Sequence, residues 1–277
     1  FQKENGALLA PKKEESFSAR FGQTLTELAR SDERICAITA AMTAGTGLGT
    51  FAKTFPQRFF DVGIAEGHAV TMAAGMAKQG LLPVFAVYST FFQRSYDMLL
   101  HDIAIDHLHA VFCVDRAGLV GDDGETHHGL FDLGYLQTIP GITVFSPASL
   151  AELSAMLHQG LYECSGPVAV RYPRGGEGRY QEDHSGSSAC CLRQGEDLTL
   201  VTFGGMTGTT LAVAQRLEAE GISAEVIKLN QLIPLPTEEV LASLKKTGRL
   251  LTVQECVTMG SPAQGLRTAK RRSVQVR

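Results

Sequence analysis

Side chains that can exchange protons or bind anions form four groups in the first 175 residues of the sequence. Histidine exchanges a proton near neutral pH, a positioned carboxyl group can act as an acid or base, and arginine binds phosphate through a fork of charged donors. The groups are Glu66; Tyr88, Phe91, Phe92 and Arg94; Arg116, Asp123, Glu125, His127 and His128; and Arg171 and Arg174. Their combination predicts one pocket with an acid–base carboxyl group, an aromatic platform and a site for phosphate.

Each group also has a purely structural interpretation when it is taken singly. Glu66 could be a charge at the N-terminus of a packing helix, and the aromatic residues could belong to the core. His127 and His128 could be a solvated pair or part of a metal site, but the sequence offers no evident third ligand. Arg171 and Arg174 could form surface ion pairs. The functional interpretation therefore depends on all four groups occurring together.

Common catalytic motifs are missing from the sequence. It has no nucleophile elbow, no P-loop and no G-x-G-x-x-G segment followed by a ribose-binding acid. Acid–base and phosphate-binding groups without an obvious protein nucleophile favour an enzyme in which a cofactor carries the difficult chemistry.

Strands that end just before these groups are expected to position them. Residues 58–77 predict a short strand at 59–62, a tight turn and a helix that begins near Glu66. Further strands are predicted at 35–38, 83–87, 110–114, 142–145 and 168–171, with helices between them. This alternation is typical of a parallel α/β sheet, in which ligands bind beyond the carboxyl ends of the strands.

The pattern of elements predicts two domains. Residues 1–16 are interpreted as a linker or disordered lead-in, 17–174 as the first domain, 175–197 as a linker and 198–277 as the second domain. Strands at 198–203, 224–229 and 250–253 alternate with helices in the second domain. Residues 260–277 lose this rhythm, so we expect a frayed or truncated end after about residue 259. The predicted fold class is α/β, with two three-layer domains and mostly parallel sheets.

The bulk composition excludes several classes of protein. The chain of 277 residues is 44% hydrophobic with a formal charge of −4, which gives no support for nucleic-acid or membrane binding. Six cysteines lack any C-x-x-C spacing and no run resembles a signal peptide, so we expect a reduced, cytoplasmic protein. The chain begins with Phe1 rather than Met, which is typical of a piece of a longer product.

Four motifs resemble the transketolase-like family of thiamine-diphosphate-dependent enzymes, in particular the 1-deoxy-D-xylulose-5-phosphate synthases. They are D-V-G-I-A-E-G-H-A-V, Y-S-T-F-F-Q-R-S-Y-D, D-R-A-G-L-V-G-D-D-G-E-T-H-H-G and R-Y-P-R-G, and the resemblance covers residues 17–259. It implies a pyrimidine-binding domain and a C-terminal domain without the family's diphosphate-binding domain. Magnesium and its ligands are therefore expected in a part absent from this chain, and none of the metal ligands is expected here.

The resemblance also implies roles for individual residues. Glu66 matches the acid that hydrogen-bonds the pyrimidine ring of thiamine and promotes removal of the thiazolium proton. Tyr88 and Phe91 match the aromatics around that ring. The polar groups that contact substrate and intermediates are matched by Asp123 and His127. The substrate's phosphate is expected at Arg116 and Arg174, and Arg94 is expected to bind substrate near the same site. The implied reaction condenses pyruvate with D-glyceraldehyde 3-phosphate and releases CO2, in a homodimer that serves isoprenoid and thiamine biosynthesis.

The sequence departs from the family at three places and leaves two other functions open. Gly67 and His128 stand where the family commonly has Gln, and residues 260–277 do not match its C-terminus. One alternative is the C-terminal subunit of a split transketolase, or a 2-oxoacid dehydrogenase β subunit, with the same fold and cofactor. The other is a non-catalytic oligomerisation fragment, which a missing partner domain would favour.

Overall fold

A computed structural model describes residues 14–275 of the chain, with side chains as far as residue 271; residues 1–13 of the predicted lead-in lie outside the described residues. The helices are α1 (Phe17–Ser31), α2 (Gly49–Thr54), α3 (Glu66–Lys78), α4 (Ser89–Phe92), α5 (Tyr96–Met98), α6 (Asp132–Leu136), α7 (Leu150–Tyr162), α8 (Thr207–Ala219), α9 (Glu238–Thr247) and α10 (Pro262–Gln275). The strands are β1 (Ile35–Thr39), β2 (Phe59–Asp61), β3 (Leu82–Tyr88), β4 (Ala110–Asp115), β5 (Thr143–Phe145), β6 (Pro167–Arg171), β7 (Ala189–Arg193), β8 (Leu198–Thr202), β9 (Ala224–Leu229), β10 (Gln231–Ile233) and β11 (Leu250–Val253).

Six parallel strands form the sheet of the first α/β unit, in the order β5-β6-β4-β3-β1-β2. Strands β1, β3, β4 and β6 are almost completely buried, as expected for a parallel sheet covered on both faces. Alternate residues of β3 point to opposite faces, so that Val84 packs with α1 and α7, and Phe85 packs with α3. The predicted three-layer α/β fold is confirmed.

The second α/β unit has a four-stranded sheet in the order β11-β8-β9-β7. Strand β7 runs antiparallel to β9 at the edge of this sheet, although it lies within residues 175–197, which the sequence assigns to a linker. The strand is only five residues long and has one fully buried residue, Ala189. The sequence has a short apolar run at 189–192, but this run follows a polar segment rich in Gly and Ser, and pairing with β9 makes it a strand.

Strand β10 joins the two units. It follows β9 of the second unit but pairs antiparallel with β5 of the first sheet, and the sequence analysis predicts no strand there. The backbone N–H of Ser146 donates to the carbonyl oxygen of Asn230 at the same crossing. One apolar cluster contains side chains from both units, including Phe112 of β4 and Leu229 of β9. The units therefore share a sheet and a core.

A fully buried ion pair also connects the two units. The Nζ of Lys228, on β9, lies 2.9 Å from Oε1 of Glu152, on α7, and neither side chain is exposed to solvent. Glu152 also accepts hydrogen bonds from the backbone N–H of Ala148 and from the hydroxyl of Tyr180. These additional donors compensate for the loss of water around the carboxylate, which a buried charge requires.

The end of the chain is not frayed as predicted, because Pro262–Gln275 forms α10, and the expected truncation of the second domain stays a prediction. Proline is favoured at the first turn of a helix, and Leu266 is buried against the common core. Leu266 is the one leucine of α10 and is followed by several basic residues, so the sequence periodicity is weak. Within residues 14–275, no helix is both long enough and apolar enough to cross a bilayer.

Candidate active site

The four groups of side chains converge at the carboxyl ends of neighbouring parallel strands. Tyr88 ends β3 and Asp115 ends β4, and the two residues are paired in register. Glu66 begins the helix that follows β2, and Arg174 lies three residues beyond the end of β6. Adjacent strands in this order bring side chains from distant parts of the sequence to one edge of the sheet. Members of all four groups therefore lie near this edge, and their joining in one pocket stays a prediction.

Glu66 is a buried carboxyl group with a charged partner. It is the first residue of α3 and is only 4% exposed, and Nη1 of Arg94 donates a hydrogen bond to its Oε1 at 2.7 Å. The helix N-terminus also favours a negative charge there. Arg94, half exposed, lies over the ring of Phe91 at 5.0 Å from the centroid. The structure thus places Arg94, predicted as a substrate contact, against the candidate catalytic acid.

Gly67 allows the segment with Arg94 to approach α3 closely. A Cβ atom at position 67 would lie 2.0 Å from Cε of Met98 and 3.8 Å from the backbone oxygen of Arg94. Met98 therefore fills space that a side chain at position 67 would need. The glycine that stands where the family commonly has Gln therefore packs against Met98.

Two aromatic rings stack on each other, and Arg94 connects one of them, Phe91, to Glu66. The rings of Tyr88 and Phe91 are stacked, with centroids 6.0 Å apart and an interplanar angle of 18°. His127 meets both rings edge-on, at 6.3 Å from Tyr88 and 5.3 Å from Phe91. Phe92, grouped with them in the sequence analysis, is instead fully buried in the core. The platform consists of Tyr88 and Phe91, with an imidazole at its edge.

Asp123 lies between two arginines. Its Oδ2 is 2.8 Å from Nε of Arg174 and 3.4 Å from Nε of Arg116. The guanidinium group of Arg116 also stacks on the ring of Tyr88, 4.0 Å from its centroid. Burial raises the pKa of the Tyr88 hydroxyl, and the positive charge of Arg116 opposes that effect. Oδ2 of Asp123 and Nε of Arg116 are buried without a well-aligned hydrogen bond. Buried polar atoms of this kind mark a place where a ligand can supply the missing bonds.

Arg171, which the sequence analysis grouped with Arg174, has a structural role. It is 4% exposed, and its Nε donates to Oδ2 of Asp132 at 2.6 Å. Its Nη2 donates to the carbonyl oxygens of Gly129 and Glu255, at 3.2 and 3.1 Å. Arg171 therefore holds the end of the loop at 116–129 against the second unit, and Arg174 is the arginine of this pair that reaches the candidate site.

Two other polar residues of this loop, Glu125 and His128, do not contact the aromatic platform or Asp123. Nδ1 of His128 accepts a hydrogen bond from the backbone N–H of Val120, and Glu125 is exposed. Asp123 and His127 each end a single 3-10 turn, Gly121–Asp123 and Glu125–His127. In the part of the chain that the structure describes, no cluster of three or more His, Cys, Asp and Glu side chains has the geometry of a metal site.

The sequence analysis missed residues beneath Arg116. The hydroxyl of Ser18, on α1, and the carbonyl oxygen of Gly45 both accept hydrogen bonds from Nη1 of Arg116. Asp115 forms an ion pair with the same nitrogen at 3.0 Å. Asp115 was detectable in principle, because it is a charged residue at the end of a buried strand. Gly45 lies in a segment of small residues and glycines that follows β1, which can allow close approach to the backbone, whereas Ser18 carries no local signal.

Comparisons with known proteins agree with this architecture. Family models described as "Transketolase, pyrimidine binding domain" and "Transketolase, C-terminal domain" match residues 13–176 and 188–274. The 1-deoxy-D-xylulose-5-phosphate synthase of Heliobacterium modesticaldum is 48% identical over 250 residues, which are 88% of this chain and 38% of that protein. The synthase of Gloeobacter violaceus is 47% identical over 251 residues, 88% of this chain and 39% of that protein. The chain thus spans about two fifths of the length of these relatives.

A solved structure has the same fold as this chain over most of the length of both. It is described as "Split gene transketolase, inactive beta4 tetramer", with a TM-score of 0.84 and 29% sequence identity, and the match covers 94% of this chain and 86% of that one. The resemblance stated from the four motifs is confirmed by these matches. The chain belongs to the transketolase family, as a pyrimidine-binding domain followed by a C-terminal domain, and is similar to the 1-deoxy-D-xylulose-5-phosphate synthases.

Proposed function

We propose that this chain is the C-terminal part of a thiamine-diphosphate-dependent synthase that condenses pyruvate with D-glyceraldehyde 3-phosphate and releases CO2. The product, 1-deoxy-D-xylulose 5-phosphate, would serve isoprenoid and thiamine biosynthesis. The observation that carries the proposal is the buried carboxyl group of Glu66 beside the stacked rings of Tyr88 and Phe91, at the strand edge that also holds Arg116 and Arg174. The similarity to synthases at 47–48% identity supports the same reaction.

The residues present fit the aminopyrimidine part of the cofactor. A flat heteroaromatic ring needs an aromatic surface and a hydrogen-bonding partner for its ring nitrogen. Tyr88 and Phe91 supply the first, and Glu66 supplies the second because Arg94 engages only its Oε1. When bound, thiamine diphosphate supplies a stabilised nucleophilic carbon. The role of Glu66 is to hold and exchange the proton at the pyrimidine nitrogen, and Arg94 orients its carboxylate.

The second half of the site fits a phosphorylated substrate. Arg116 and Arg174 bind the phosphate group through charge-assisted hydrogen bonds, and Asp123 between them fixes the spacing of the two guanidinium groups. His127, at the edge of the aromatic platform, is positioned to give or take a proton at the reacting carbonyl oxygen. Arg94 remains a predicted substrate contact as well.

Other parts of the enzyme are needed for the remaining functions. We propose that the diphosphate and its Mg2+ are held by a diphosphate-binding domain that precedes this chain in the relatives' longer sequences, and that the active enzyme is a cytoplasmic homodimer. Oxygen ligands around a divalent cation neutralise the diphosphate charge. A reconstituted enzyme, in which this chain is joined to the N-terminal part of the Heliobacterium synthase, is the preparation for the tests below. Formation of 1-deoxy-D-xylulose 5-phosphate by it would support the proposal, and its absence in a folded, cofactor-loaded preparation would contradict it.

We expect Arg174→Ala to raise the KM for D-glyceraldehyde 3-phosphate by about tenfold or more and to leave the KM for pyruvate unchanged. The reason is the loss of a charge-assisted hydrogen bond to phosphate, about 1.5–3 kcal/mol. Steady-state kinetics of the reconstituted enzyme with both substrates measures the effect. Arg179→Ala is the matched control, because it removes an exposed arginine from the same segment but outside the site.

The use of unphosphorylated D-glyceraldehyde separates recognition of phosphate from a structural role of Arg174. We expect Arg174→Ala and the unmodified enzyme to use this aldehyde about equally well. An equal loss of activity with both aldehydes would show that Arg174 supports the fold of the loop rather than the phosphate.

A split transketolase subunit is the second candidate function. The observation in its favour is the structural match to the split-gene transketolase, which covers most of both chains. Its donor would be a ketose phosphate, whereas the synthase uses pyruvate. Comparing the two donors in the reconstituted enzyme, with CO2 release measured for pyruvate, decides between them.

A further inference from the structure

Asp115 is a fully buried carboxyl group beneath the candidate phosphate site, at the end of β4. Its Oδ2 accepts a hydrogen bond from the hydroxyl of Ser18 at 2.7 Å and lies 3.0 Å from Nη1 of Arg116. Its Oδ1 accepts a hydrogen bond from the backbone N–H of Arg116, also at 2.7 Å. The carboxylate thus contacts both the backbone and the side chain of the next residue.

These contacts restrain Arg116 in an uncommon conformation. Its backbone φ is +58°, a region that residues other than glycine rarely adopt. Its Nη1 is surrounded by Asp115, the Ser18 hydroxyl at 3.1 Å and the Gly45 carbonyl oxygen at 2.8 Å. The protein therefore uses Nη1 as an anchor, and the other edge of the guanidinium group is turned towards Asp123 and the site.

We propose that Asp115 is a positioning residue for anion recognition: its carboxylate anchors Nη1 of Arg116 so that the remaining donors of the guanidinium group face the phosphate of the acceptor substrate. The inference rests on the proposed function, because it takes Arg116 to bind that phosphate. Protonation of Asp115 removes the negative charge beside Nη1 and leaves only the neutral acceptors of Ser18 and Gly45, so the guanidinium group is held less firmly. Acceptor recognition should therefore weaken when Asp115 takes up a proton.

Asp115 can change its charge in a pH range where its buried neighbours cannot. Burial raises its pKa to about 6, against the opposing effects of Arg116 and of the Ser18 hydroxyl. Cys113 on the same strand and Tyr172 after β6 both have pKa values raised well above their ordinary range by burial, and that of Tyr88 is raised as well. These three groups remain neutral between pH 5 and 8. Arg116 remains charged.

The raised pKa of Asp115 determines how anion binding changes with pH. Above about pH 6 Asp115 is ionised and holds Arg116, and below about pH 6 it is protonated and holds Arg116 less firmly. Anion binding should therefore be strongest at neutral and higher pH. The phosphate of the substrate itself titrates near pH 6, so a substrate KM would mix two titrations.

Sulfate is a suitable probe, because it remains doubly charged across this range. We expect sulfate to inhibit the reconstituted enzyme competitively with D-glyceraldehyde 3-phosphate. Its inhibition constant should rise about three- to fourfold between pH 7.5 and 5.5, which corresponds to titration of a group with a pKa of about 6. In Asp115→Asn, which keeps the size and an acceptor oxygen, the constant should be about tenfold higher at pH 7.5 and nearly independent of pH.

Two further variants make the test specific. Ser18→Ala removes a hydrogen bond that lowers the pKa of Asp115. The pH step, which is the rise of the sulfate inhibition constant on acidification, should therefore move to higher pH in this variant. Ser18→Ala is the variant to test if Asp115→Asn does not fold. Glu255→Gln should keep the pH step, although burial raises the pKa of that carboxyl group too. An unchanged pH step in Asp115→Asn, or tighter binding of sulfate by it, would overturn the proposal.

Arg174→Ala distinguishes failure of this inference from failure of the proposed function. If Arg174→Ala weakens sulfate binding and Asp115→Asn does not, the phosphate site stands and Asp115 has no positioning role. If sulfate does not compete with the acceptor in the unmodified enzyme, the assignment of the phosphate site to Arg116 and Arg174 is wrong, and the role of Asp115 falls with it.

Discussion

Glu66→Gln in the reconstituted enzyme should lower kcat by about 10²–10⁴-fold, the usual contribution of one acid–base group, and should change cofactor affinity far less. Gln keeps the shape and a hydrogen bond to the pyrimidine nitrogen, but it cannot exchange a proton. The site makes this loss hard to compensate, because Glu66 is 4% exposed and is held by Arg94. Exchange of the thiazolium C2 proton, followed by NMR, measures the step directly, and calorimetric titration measures affinity.

Glu125→Gln is the matched control for this prediction. It makes the same chemical change at an exposed residue of the neighbouring loop, and we expect nearly unchanged turnover. A rate of C2 proton exchange in Glu66→Gln close to that of the unmodified enzyme would remove Glu66 from the acid–base role and leave it as a packing residue.

The isolated 277-residue chain should show no synthase turnover and should bind thiamine diphosphate only weakly. Glu66, Tyr88 and Phe91 can hold the aminopyrimidine, but the diphosphate carries most of the ligand's charge and normally needs a divalent cation with oxygen ligands. A ring that stacks on one surface with one hydrogen-bonding partner should give a dissociation constant on the order of millimolar, near −4 kcal/mol. Calorimetric titration with thiamine diphosphate and Mg2+ checks this expectation.

The reconstituted enzyme is the control for the isolated chain, because it contains the same pyrimidine site together with a diphosphate-binding domain. We expect it to bind the cofactor at least a hundredfold more tightly and only when Mg2+ is present. A micromolar, magnesium-dependent complex with the isolated chain would contradict the prediction and would show that this chain holds the diphosphate itself.

The isolated chain should also associate with itself. Four large apolar side chains on the loops around the site are more than half exposed: Ile64 at 80%, Leu119 at 58%, Phe131 at 60% and Met259 at 78%. Large apolar side chains that are this exposed can be covered by another protein surface. Sedimentation velocity should show oligomers of the isolated chain that decrease when Phe131 and Met259 are both replaced by Ser. A monomer at all concentrations would contradict this expectation.

Elements whose signal is local were predictable from the sequence. The strands β1, β3, β4 and β6 are continuous apolar runs because both faces of a parallel sheet are covered, and α3 begins at Glu66 after a short strand. Since the carboxyl ends of parallel strands share one edge, these predictions also brought Glu66, Tyr88 and Arg174 to one site. The grouping followed from connectivity and strand direction alone.

Elements that depend on distant partners were not predictable. Strands β7 and β10 are short and only partly buried, and each exists because a strand far away in the sequence pairs with it. Helix α10 has Leu266 as its single large apolar anchor, so its periodicity is lost among charged residues.

The sequence by itself determined which residue types meet at the carboxyl edge of the sheet, and the tertiary structure decided what each of them does there. Arg171 and Arg174 are equivalent in sequence, but burial against Asp132 makes one structural and leaves the other at the site. The pairing of Arg94 with Glu66 depends on how two helical segments pack, as does the anchoring of Arg116 by Asp115 from beneath. Residue type sets the available chemistry, whereas burial and the identity of the nearest charge depend on contacts between distant segments, which no local pattern records.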